Sequence, residues 1–392
     1  MYCTRKLTDS ITWVGGNDRR LALFENLFPI PRGVSYNSYL IVDEKTALID
    51  TADASITRQF LENIAHTLDG RSLDYLIVNH MEPDHCANIQ ELLLRYPDLK
   101  IVGNTKTISM IGQFYDLDAA GRSLVVKEND TLSLGAHTLR FYFAPMVHWP
   151  EVMMTYEESE QLLFSADAFG TFGAVNGNLF NDEVNFERDW LPDARRYYSN
   201  IVGKYGAPVQ TLLKKAAKLD IRTICPLHGP VLTGDLAPYL EKYQTWSSYA
   251  PEEKGVLVAY ASIHGNTAQA AALLAEQLKA LGETVVLLDL SRCDMAEAVA
   301  QAFRFDRTVL AAASYDGGVF LPMEEFLLHL QYKAFQKRTI ALVENGSWAP
   351  CAAKKMHTLL DTMKDLTVLE QTVTIRSAVK PGDESALLAL AD

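Results

Sequence analysis

Six consecutive residues, His80-Met81-Glu82-Pro83-Asp84-His85, place four potential metal ligands in one short segment. The residues before it, Asp74 to Val78, form an apolar, β-rich run that predicts a buried strand. The residues after it, Ala87 to Arg95, change to helical spacing. A strand, a ligand-bearing segment and a helix in succession hold imidazoles and carboxylates in fixed directions. We therefore expect a metal site at the end of this strand.

Three distant residues, His148, Asp167 and His228, extend this set, and each lies at the end of a predicted strand. A single His or Asp in such a loop is usually a cap or a satisfied polar residue. Four imidazoles and three carboxylates together suit two metal ions better than one. The set contains no thiolate, whereas a structural zinc site prefers cysteine and a closed tetrahedron. The pattern favours an open, catalytic dinuclear site with iron, manganese or zinc.

These residues resemble the H-x-H-x-D-H signature of the metallo-β-lactamase superfamily, except that Glu82 stands where the second His would be. With that Glu, and with the later His, Asp and His, the pattern is similar to the flavodiiron proteins (A-type flavoproteins). The resemblance implies a non-haem diiron centre with a bridging carboxylate. One iron would be held by His80, Glu82 and His148, the other by Asp84, His85 and His228, and Asp167 would bridge them. In some members the residue that matches His85 does not ligate.

Composition limits the other possibilities. A chain of 392 residues is too long for one typical core and predicts two domains. A net charge of -13 argues against nucleic-acid and anionic-membrane partners. Five scattered cysteines give neither a disulfide framework nor a rubredoxin-type iron site. The sequence contains no apolar run of membrane-spanning length and no secretory signal, so we expect a cytoplasmic protein.

The polar, Pro- and Gly-marked segment at 250–255 predicts a boundary between domains 1–250 and 251–392. The first domain is expected to be α+β, a metallo-β-lactamase-like αβ/βα sandwich whose strand ends converge on one rim. The second domain alternates strands and helices and predicts an α/β, flavodoxin-like doubly wound parallel sheet. Its strands are predicted at 256–260, 284–288, 308–312, 339–343 and 366–369.

Three loops at strand ends of the second domain predict a cofactor site. Hydroxyl, amide and glycine residues at a strand-to-helix turn can surround a phosphate with backbone N–H groups. The loops resemble those of flavodoxin, which implies FMN. Their residues are Ser262, Ile263, His264, Gly265, Asn266 and Thr267; Ser314, Tyr315, Asp316, Gly317 and Gly318; and Asn345, Gly346, Ser347 and Trp348. Of these, Ser262, His264, Asn266 and Thr267 would hold the phosphate, whereas Tyr315, Gly317, Gly318, Asn345, Gly346 and Trp348 would line the isoalloxazine. The alternative for Tyr315 and Trp348 is ordinary packing.

The resemblance covers essentially the whole chain and implies an oxidoreductase. Such a protein would reduce O2 to water, NO to nitrous oxide, or both, at the diiron site, with electrons supplied through FMN. The external donor would be a rubredoxin or a reduced deazaflavin, since no further redox module is expected after Asp392. The family also implies a head-to-tail homodimer or a dimer of dimers. The sequence does not choose between O2 and NO.

Two other functions are compatible with parts of the pattern. One is a dinuclear zinc hydrolase fused to a flavodoxin-like module, against which Glu82 argues. The other is an electron carrier with a vestigial metal domain, against which the complete ligand set argues. No catalytic residue is assigned beyond the metal centre. Asp50 is a candidate for orienting a ligand His, and Tyr197 or Tyr198 is a candidate proton donor, with a turn cap and aromatic packing as the respective alternatives.

Overall fold

The structure, a computed structural model, describes residues 2–391, so the predicted domain ends Met1 and Asp392 lie outside it. The chain groups into two compact units. The first unit comprises residues up to 198 together with 207–243, and the second comprises 199–206 together with the residues from 244 onwards. The predicted domains, 1–250 and 251–392, stay a prediction.

The first unit contains sixteen of the described strands, many of only two to four residues. They are β1 (Arg5–Lys6), β2 (Ile11–Trp13), β3 (Gly16–Asp18), β4 (Leu23–Phe24), β5 (Phe28–Pro29), β6 (Val34–Tyr36), β7 (Tyr39–Val42), β8 (Thr46–Ile49), β9 (Tyr75–Ile77), β10 (Lys100–Gly103), β11 (Ser123–Val125), β12 (Thr131–Ser133), β13 (Thr138–Phe143), β14 (Met153–Glu157), β15 (Leu162–Phe164) and β16 (Thr223–Cys225). Its helices are α1 (Thr57–Leu68), α2 (Pro83–Cys86), α3 (Ile89–Arg95), α4 (Thr105–Phe114), α5 (Phe186–Asp189), α6 (Leu191–Tyr197), α7 (Gly206–Ala216, beginning at a residue of the second unit) and α8 (Ala237–Ser247, which continues into the second unit).

Two sheets form the core of the first unit. One has the order β1-β2-β7-β8-β9-β10-β11 and the other β12-β13-β14-β15-β16. Alternate residues of both sheets face each other, and the rings of Tyr39 and Phe164 meet across the interface with centroids 5.2 Å apart. Helix α1 packs outside against β7, with Phe60, Leu61 and Ile64 buried. The αβ/βα sandwich predicted from the sequence is confirmed.

The second unit is built on a parallel sheet of five strands with the order β18-β17-β19-β21-β22. The strands are β17 (Glu253–Ala261), β18 (Val285–Asp289), β19 (Phe305–Tyr315), β20 (Gly318–Val319, antiparallel to β19), β21 (Arg338–Asn345) and β22 (Leu366–Ile375). The helices are α9 (Asn266–Ala280), α10 (Met295–Arg304), α11 (Leu321–Tyr332), α12 (Ala352–Leu360) and α13 (Pro381–Ala391).

Helices cover both faces of this sheet. Helices α9 and α13 pack on one face, and α10, α11 and α12 contribute to the apolar cluster on the other. The doubly wound, flavodoxin-like prediction is confirmed. The last strand differs from its predicted extent, because β22 continues to Ile375 rather than ending at Leu369. Among residues 2–391, none of the helices combines the length and apolar composition that a membrane span requires.

Candidate functional site

The predicted ligand segment is part loop and part helix. Strand β9 ends at Ile77, and the chain turns at Asn79 and His80 before helix α2 begins. Glu82 lies at the N-cap of α2 in an extended conformation, and Pro83 follows as the first helical residue. Proline is favoured there because its fixed φ suits the helix and its missing N–H would be unpaired anyway. Asp84 and His85 therefore project from a helical turn.

The other three candidate ligands follow strand ends, as predicted. His148 lies between β13 and β14, Asp167 follows β15, and His228 follows β16. Strands β15 and β16 are parallel neighbours, so the residues after them emerge at one edge. Gly229, with φ of +78°, turns the chain directly after His228, and its amide donates to Ser35 Oγ at 2.7 Å. A Cβ at Gly229 would stand 2.0 Å from the Thr171 side chain, so this close approach requires glycine.

Four of the seven residues, His80, Glu82, His148 and Asp167, form a first metal-binding group, whose ligand atoms all lie within 4.8 Å of one another. His148 Nε2 is 3.1 Å from Glu82 Oε2 and 3.0 Å from Asp167 Oδ2. His80 Nε2 is 3.3 Å from each of the same two oxygens. Two imidazole nitrogens and two carboxylate oxygens thus surround one point.

Asp84, His85 and His228 form a second group with the same spacing limit of 4.8 Å. His85 Nε2 and His228 Nε2 are only 3.0 Å apart, and Asp84 Oδ2 lies 3.4 Å and 3.3 Å from them respectively. Asp167 reaches this group with its other oxygen, because Oδ1 is 3.3 Å from His85 Nε2 and 3.7 Å from His228 Nε2. The two oxygens of Asp167 therefore face the two groups.

The donor atoms fit a pair of cations. His80 Nε2, both oxygens of Asp84 and Asp167 Oδ1 are buried and have no hydrogen-bond partner among residues 2–391. Buried polar groups are normally paired, so a cluster of unpaired ones on two facing groups needs a partner of another kind. Nitrogen and carboxylate ligands without thiolate suit iron, manganese or zinc. All seven predicted residues are brought together, including His85.

Electrostatics favour the charged form of the ligand carboxylates. Burial alone would raise the pKa of Asp167, but the facing imidazoles of His80 and His85 outweigh it and hold that pKa well below its usual range. Burial would likewise raise the pKa of Glu82, but the neighbouring imidazoles of His148 and His80 lower it. Both side chains are carboxylates at neutral pH, which is the form that binds a cation.

Two carboxylates behind the ligands fix His80. Glu151, which the sequence analysis did not single out, accepts a 2.8 Å hydrogen bond from His80 Nδ1 and another of 2.8 Å from the Met81 amide. Asp50 accepts from the amides of Asn79 and His80 at 2.7 Å and 3.1 Å. The predicted candidate Asp50 thus contacts the His80 backbone, whereas Glu151 contacts its imidazole ring. No local pattern links Glu151 to His80, which is 71 residues away.

Tyr197 lies beside the second group. Its ring is fully buried, and its centroid is 5.6 Å from that of His228. Its hydroxyl is buried without a hydrogen-bond partner among residues 2–391. Burial and then the carboxylates of Asp167 and Glu82 raise its pKa well above the ordinary value, so the hydroxyl keeps its proton at neutral pH.

The second unit contains a cavity of about 640 Å³ at the carboxyl edge of its sheet. All the predicted cofactor-binding residues except Gly265 and Gly318 line it. The structure adds Ala313, Ala349, Pro350, Cys351 and Ser377, which the sequence analysis missed. Ser377 follows β22, and it was missed because that strand was predicted to end early. Gly265 turns the chain into α9 with φ of +92°, and Gly318 pairs with Tyr315.

Two helices begin at this cavity, but their first turns differ. In α12 the amides of Cys351 and Ala352 donate to Ser314 Oγ, and the amide of Ala353 donates to the buried carboxylate of Glu344. In α9 the amides of Asn266 and Thr267 have no partner within residues 2–391. Unpaired amides and the positive helix end attract an anion. Of the two helix ends, the α9 end is therefore the one that offers unpaired amides to the cavity.

The aromatic residues at the cavity are not packing residues of the core. The Trp348 side chain is 89% exposed, and Tyr315 is 41% exposed with one edge against Phe320. An aromatic ring left this open beside a cavity offers a face for a planar ligand. The exposure of Trp348 favours a ligand-facing role over ordinary packing.

Comparison with known proteins agrees with both units. The family model described as "ODP family beta lactamase" matches residues 34–229. An anaerobic nitric oxide reductase flavorubredoxin from Vibrio vulnificus is 31% identical over 368 residues, which cover 91% of this chain and 73% of the relative. The rubredoxin oxygen:oxidoreductase of Desulfovibrio gigas superimposes with a TM-score of 0.92 at 27% identity, covering 99% of this chain and 97% of that one.

The chain belongs to the flavodiiron protein family. It is therefore an oxidoreductase of a family whose members include NO and O2 reductases. The same fold is also found at lower sequence identity. The flavodiiron protein from Giardia intestinalis superimposes with a TM-score of 0.94 at 22% identity, covering 100% of this chain and 95% of that one.

Proposed function

We propose that this flavodiiron protein reduces O2 to water, NO to nitrous oxide, or both, at a non-haem diiron site in the first unit. Electrons reach that site through FMN held in the second unit. The observation that carries the proposal is Asp167, whose two oxygens face two separate groups of buried nitrogen and oxygen ligands. Iron and flavin supply the one-electron steps that these reductions need.

The proposed iron ligands divide evenly between the two metals. His80, Glu82 and His148 would hold one iron, Asp84, His85 and His228 the other, and Asp167 would bridge them. Each metal then has two imidazoles, one carboxylate of its own and a share of Asp167. Most of the ligand side chains are buried, and a site with little water strengthens their electrostatic contribution.

Elemental and cofactor analysis tests the proposal directly. Protein purified without added metal is expected to contain two irons and one FMN per chain. With a reduced rubredoxin, the donor type named in the Desulfovibrio gigas relative, it should consume NO under anaerobic conditions or O2 in a sealed cell. Zinc in place of iron after iron-replete expression would contradict the proposal and favour a hydrolase. The proposed homodimer is tested by light scattering on the same sample.

The FMN phosphate is expected to bind at the start of α9. Thr267 is buried there and lines the cavity. A Thr267→Val variant keeps the shape and removes one hydroxyl, and a hydrogen bond to a charged group contributes about 1.5 kcal/mol or more. We expect the dissociation constant for FMN to rise about tenfold, measured by quenching of flavin fluorescence. Thr358→Val, in the exposed part of α12, should leave it unchanged; an unchanged affinity in Thr267→Val would contradict this placement.

Tyr197 would hold a proton next to the reacting diatomic. A Tyr197→Phe variant removes only the hydroxyl, so iron content should stay at the wild-type level. Turnover should fall by about tenfold or more, because proton delivery by a placed acid accelerates a reaction by at least that factor. Tyr243→Phe is the control, since the Tyr243 hydroxyl accepts a hydrogen bond from the Phe169 amide. The control should keep wild-type turnover. Wild-type turnover in Tyr197→Phe as well would assign Tyr197 a packing role.

A further inference from the structure

The two ligand groups have the same types of direct ligand, but the hydrogen-bond partners of their imidazole Nδ1 atoms differ. His80 Nδ1 donates to the carboxylate of Glu151 at 2.8 Å. His228 Nδ1 donates to the uncharged main-chain carbonyl of Ser35 at 2.7 Å. His85 Nδ1 is buried and has no hydrogen-bond partner among residues 2–391. Among these three imidazoles, only that of His80, in the first group, has a carboxylate as the hydrogen-bond partner of its Nδ1.

Glu151 is held firmly in this position. It is 1% exposed, and the oxygen that contacts His80 also accepts the Met81 amide at 2.8 Å. Its main-chain carbonyl accepts from Asn104 Nδ2, and the Asn104 Oδ1 accepts from the first-turn amides of α4. Glu151 is thus tied both to the ligand segment and to the start of a helix. Such a carboxylate fixes the His80 tautomer with Nε2 directed at the metal.

We propose that Glu151 is a positioning residue that makes the two metals unequal, the metal held by His80, Glu82 and His148 being the harder to reduce. The inference rests on the proposed diiron function. A carboxylate that accepts the imidazole proton raises the basicity of the coordinating nitrogen and places negative charge near the metal. Both effects stabilise the more oxidised ion. The neutral carbonyl behind His228 gives a weaker effect of the same kind.

Asp50 provides a matched control for charge. It is a second fully buried carboxylate near His80, but it accepts hydrogen bonds from the amides of Asn79 and His80 and from the Asn79 side chain. It interacts electrostatically with His85 and accepts a hydrogen bond from the His80 amide, not from the His80 ring. Glu151→Gln and Asp50→Asn therefore remove the same charge from the same neighbourhood, and only Glu151→Gln changes the partner of the His80 ring.

The test is a redox titration of the iron-loaded proteins, followed by electron paramagnetic resonance of the half-reduced state. In wild type we expect two separate one-electron steps. In Glu151→Gln the lower potential should rise toward the upper one, so the greatest amount of half-reduced protein falls. The affinity of the His80, Glu82 and His148 group for iron should also fall by about 10- to 100-fold. Asp50→Asn should leave the separation of the two potentials unchanged.

Each other outcome has a defined meaning. An unchanged separation in Glu151→Gln, or an equal change in both variants, would overturn the role of the His80–Glu151 hydrogen bond. If Glu151→Gln does not fold, Glu151→Asp replaces it, because it keeps the charge and withdraws it by about 1.5 Å; the same shift, but smaller, is expected. A wild type that binds no iron pair refutes the proposed function itself, whereas two bound irons with equal potentials overturn only this inference.

Discussion

An Asp167→Asn variant is expected to bind at most one iron per chain and to lose its reductase activity by at least about 100-fold. Changing a residue that only hydrogen-bonds to a metal ligand lowers metal affinity or activity by about 10- to 100-fold. Changing a ligand shared by both metals should therefore lower the activity by at least the upper figure. Asp167 is 1% exposed and is the residue whose oxygens face both groups. The amide of Asn has nearly the same shape but lacks the charge that balances two cations.

Iron analysis, anaerobic NO consumption and O2 consumption in a sealed cell measure this effect, with circular dichroism to check folding. Asp74→Asn is the matched control, because Asp74 is a carboxylate of the same unit that pairs with Lys45 at 2.9 Å away from the metal groups. The control should keep two irons and full turnover. Two irons and undiminished turnover in Asp167→Asn would show that Asp167 does not bridge.

The fold and the grouping of the ligands could be predicted because they follow from local patterns. The β-rich run before His80 and the strand ends before Asp167 and His228 predict side chains at one rim, and the structure brings them together. The β/α alternation of the second unit predicts a parallel sheet, since parallel strands need a crossover connection. Its strand order follows the flavodoxin-like arrangement.

The parts that could not be predicted depend on contacts between distant segments. Glu151 is one acidic residue in a loop, and only the folded chain brings it to His80. The turn of helix at Pro83–Cys86 is too short to give a periodic signal. The missed part of β22, residues 370–375, begins with the exposed polar pair Glu370 and Gln371, which interrupts the apolar run, so the strand looked shorter than it is. The sequence also could not show that Asp50 accepts a hydrogen bond from the His80 amide and not from the His80 ring.

A third cluster of ionisable groups, outside both sites, leads to a prediction about stability. His137 is 7% exposed and lies between two carboxylates, with Nδ1 at 2.7 Å from Asp43 Oδ2 and Nε2 at 3.1 Å from Glu160 Oε1. Ser10 Oγ donates to the same Glu160 oxygen at 2.8 Å. Asp43 belongs to the turn after β7 in one sheet, whereas His137 and Glu160 belong to turns of the other. His137 therefore joins the ends of the two sheets.

The pKa shifts of the cluster define the pH range in which it stabilises the fold. Burial alone would lower the pKa of His137, but the hydrogen bonds to Asp43 and Glu160, with the nearby charge of Glu157, outweigh it and raise that pKa. The contribution of His137 to folding stability is complete below its unfolded pKa of about 6.5 and is lost as the pH rises through the folded value.

The two carboxylates shift in the opposite direction. Burial would raise the pKa of Asp43 and Glu160, but hydrogen bonds with His137 lower it. Their contribution is present above about pH 4 and is lost as the pH falls through their folded values.

A His137→Leu variant should therefore be destabilised most between about pH 4.5 and 6.5. We expect a loss of about 3 kcal/mol there, because two hydrogen bonds to charged groups disappear and two carboxylates are left facing each other. Urea unfolding at each pH from 5 to 9 measures the difference from wild type, in which contributions shared by both proteins cancel. The difference should shrink as the pH rises, because the wild-type imidazole then loses its charge. His66→Leu, which removes an exposed imidazole stacked on Tyr2, should give only a small difference. A constant difference in His137→Leu would mean that His137 stabilises the fold by packing alone.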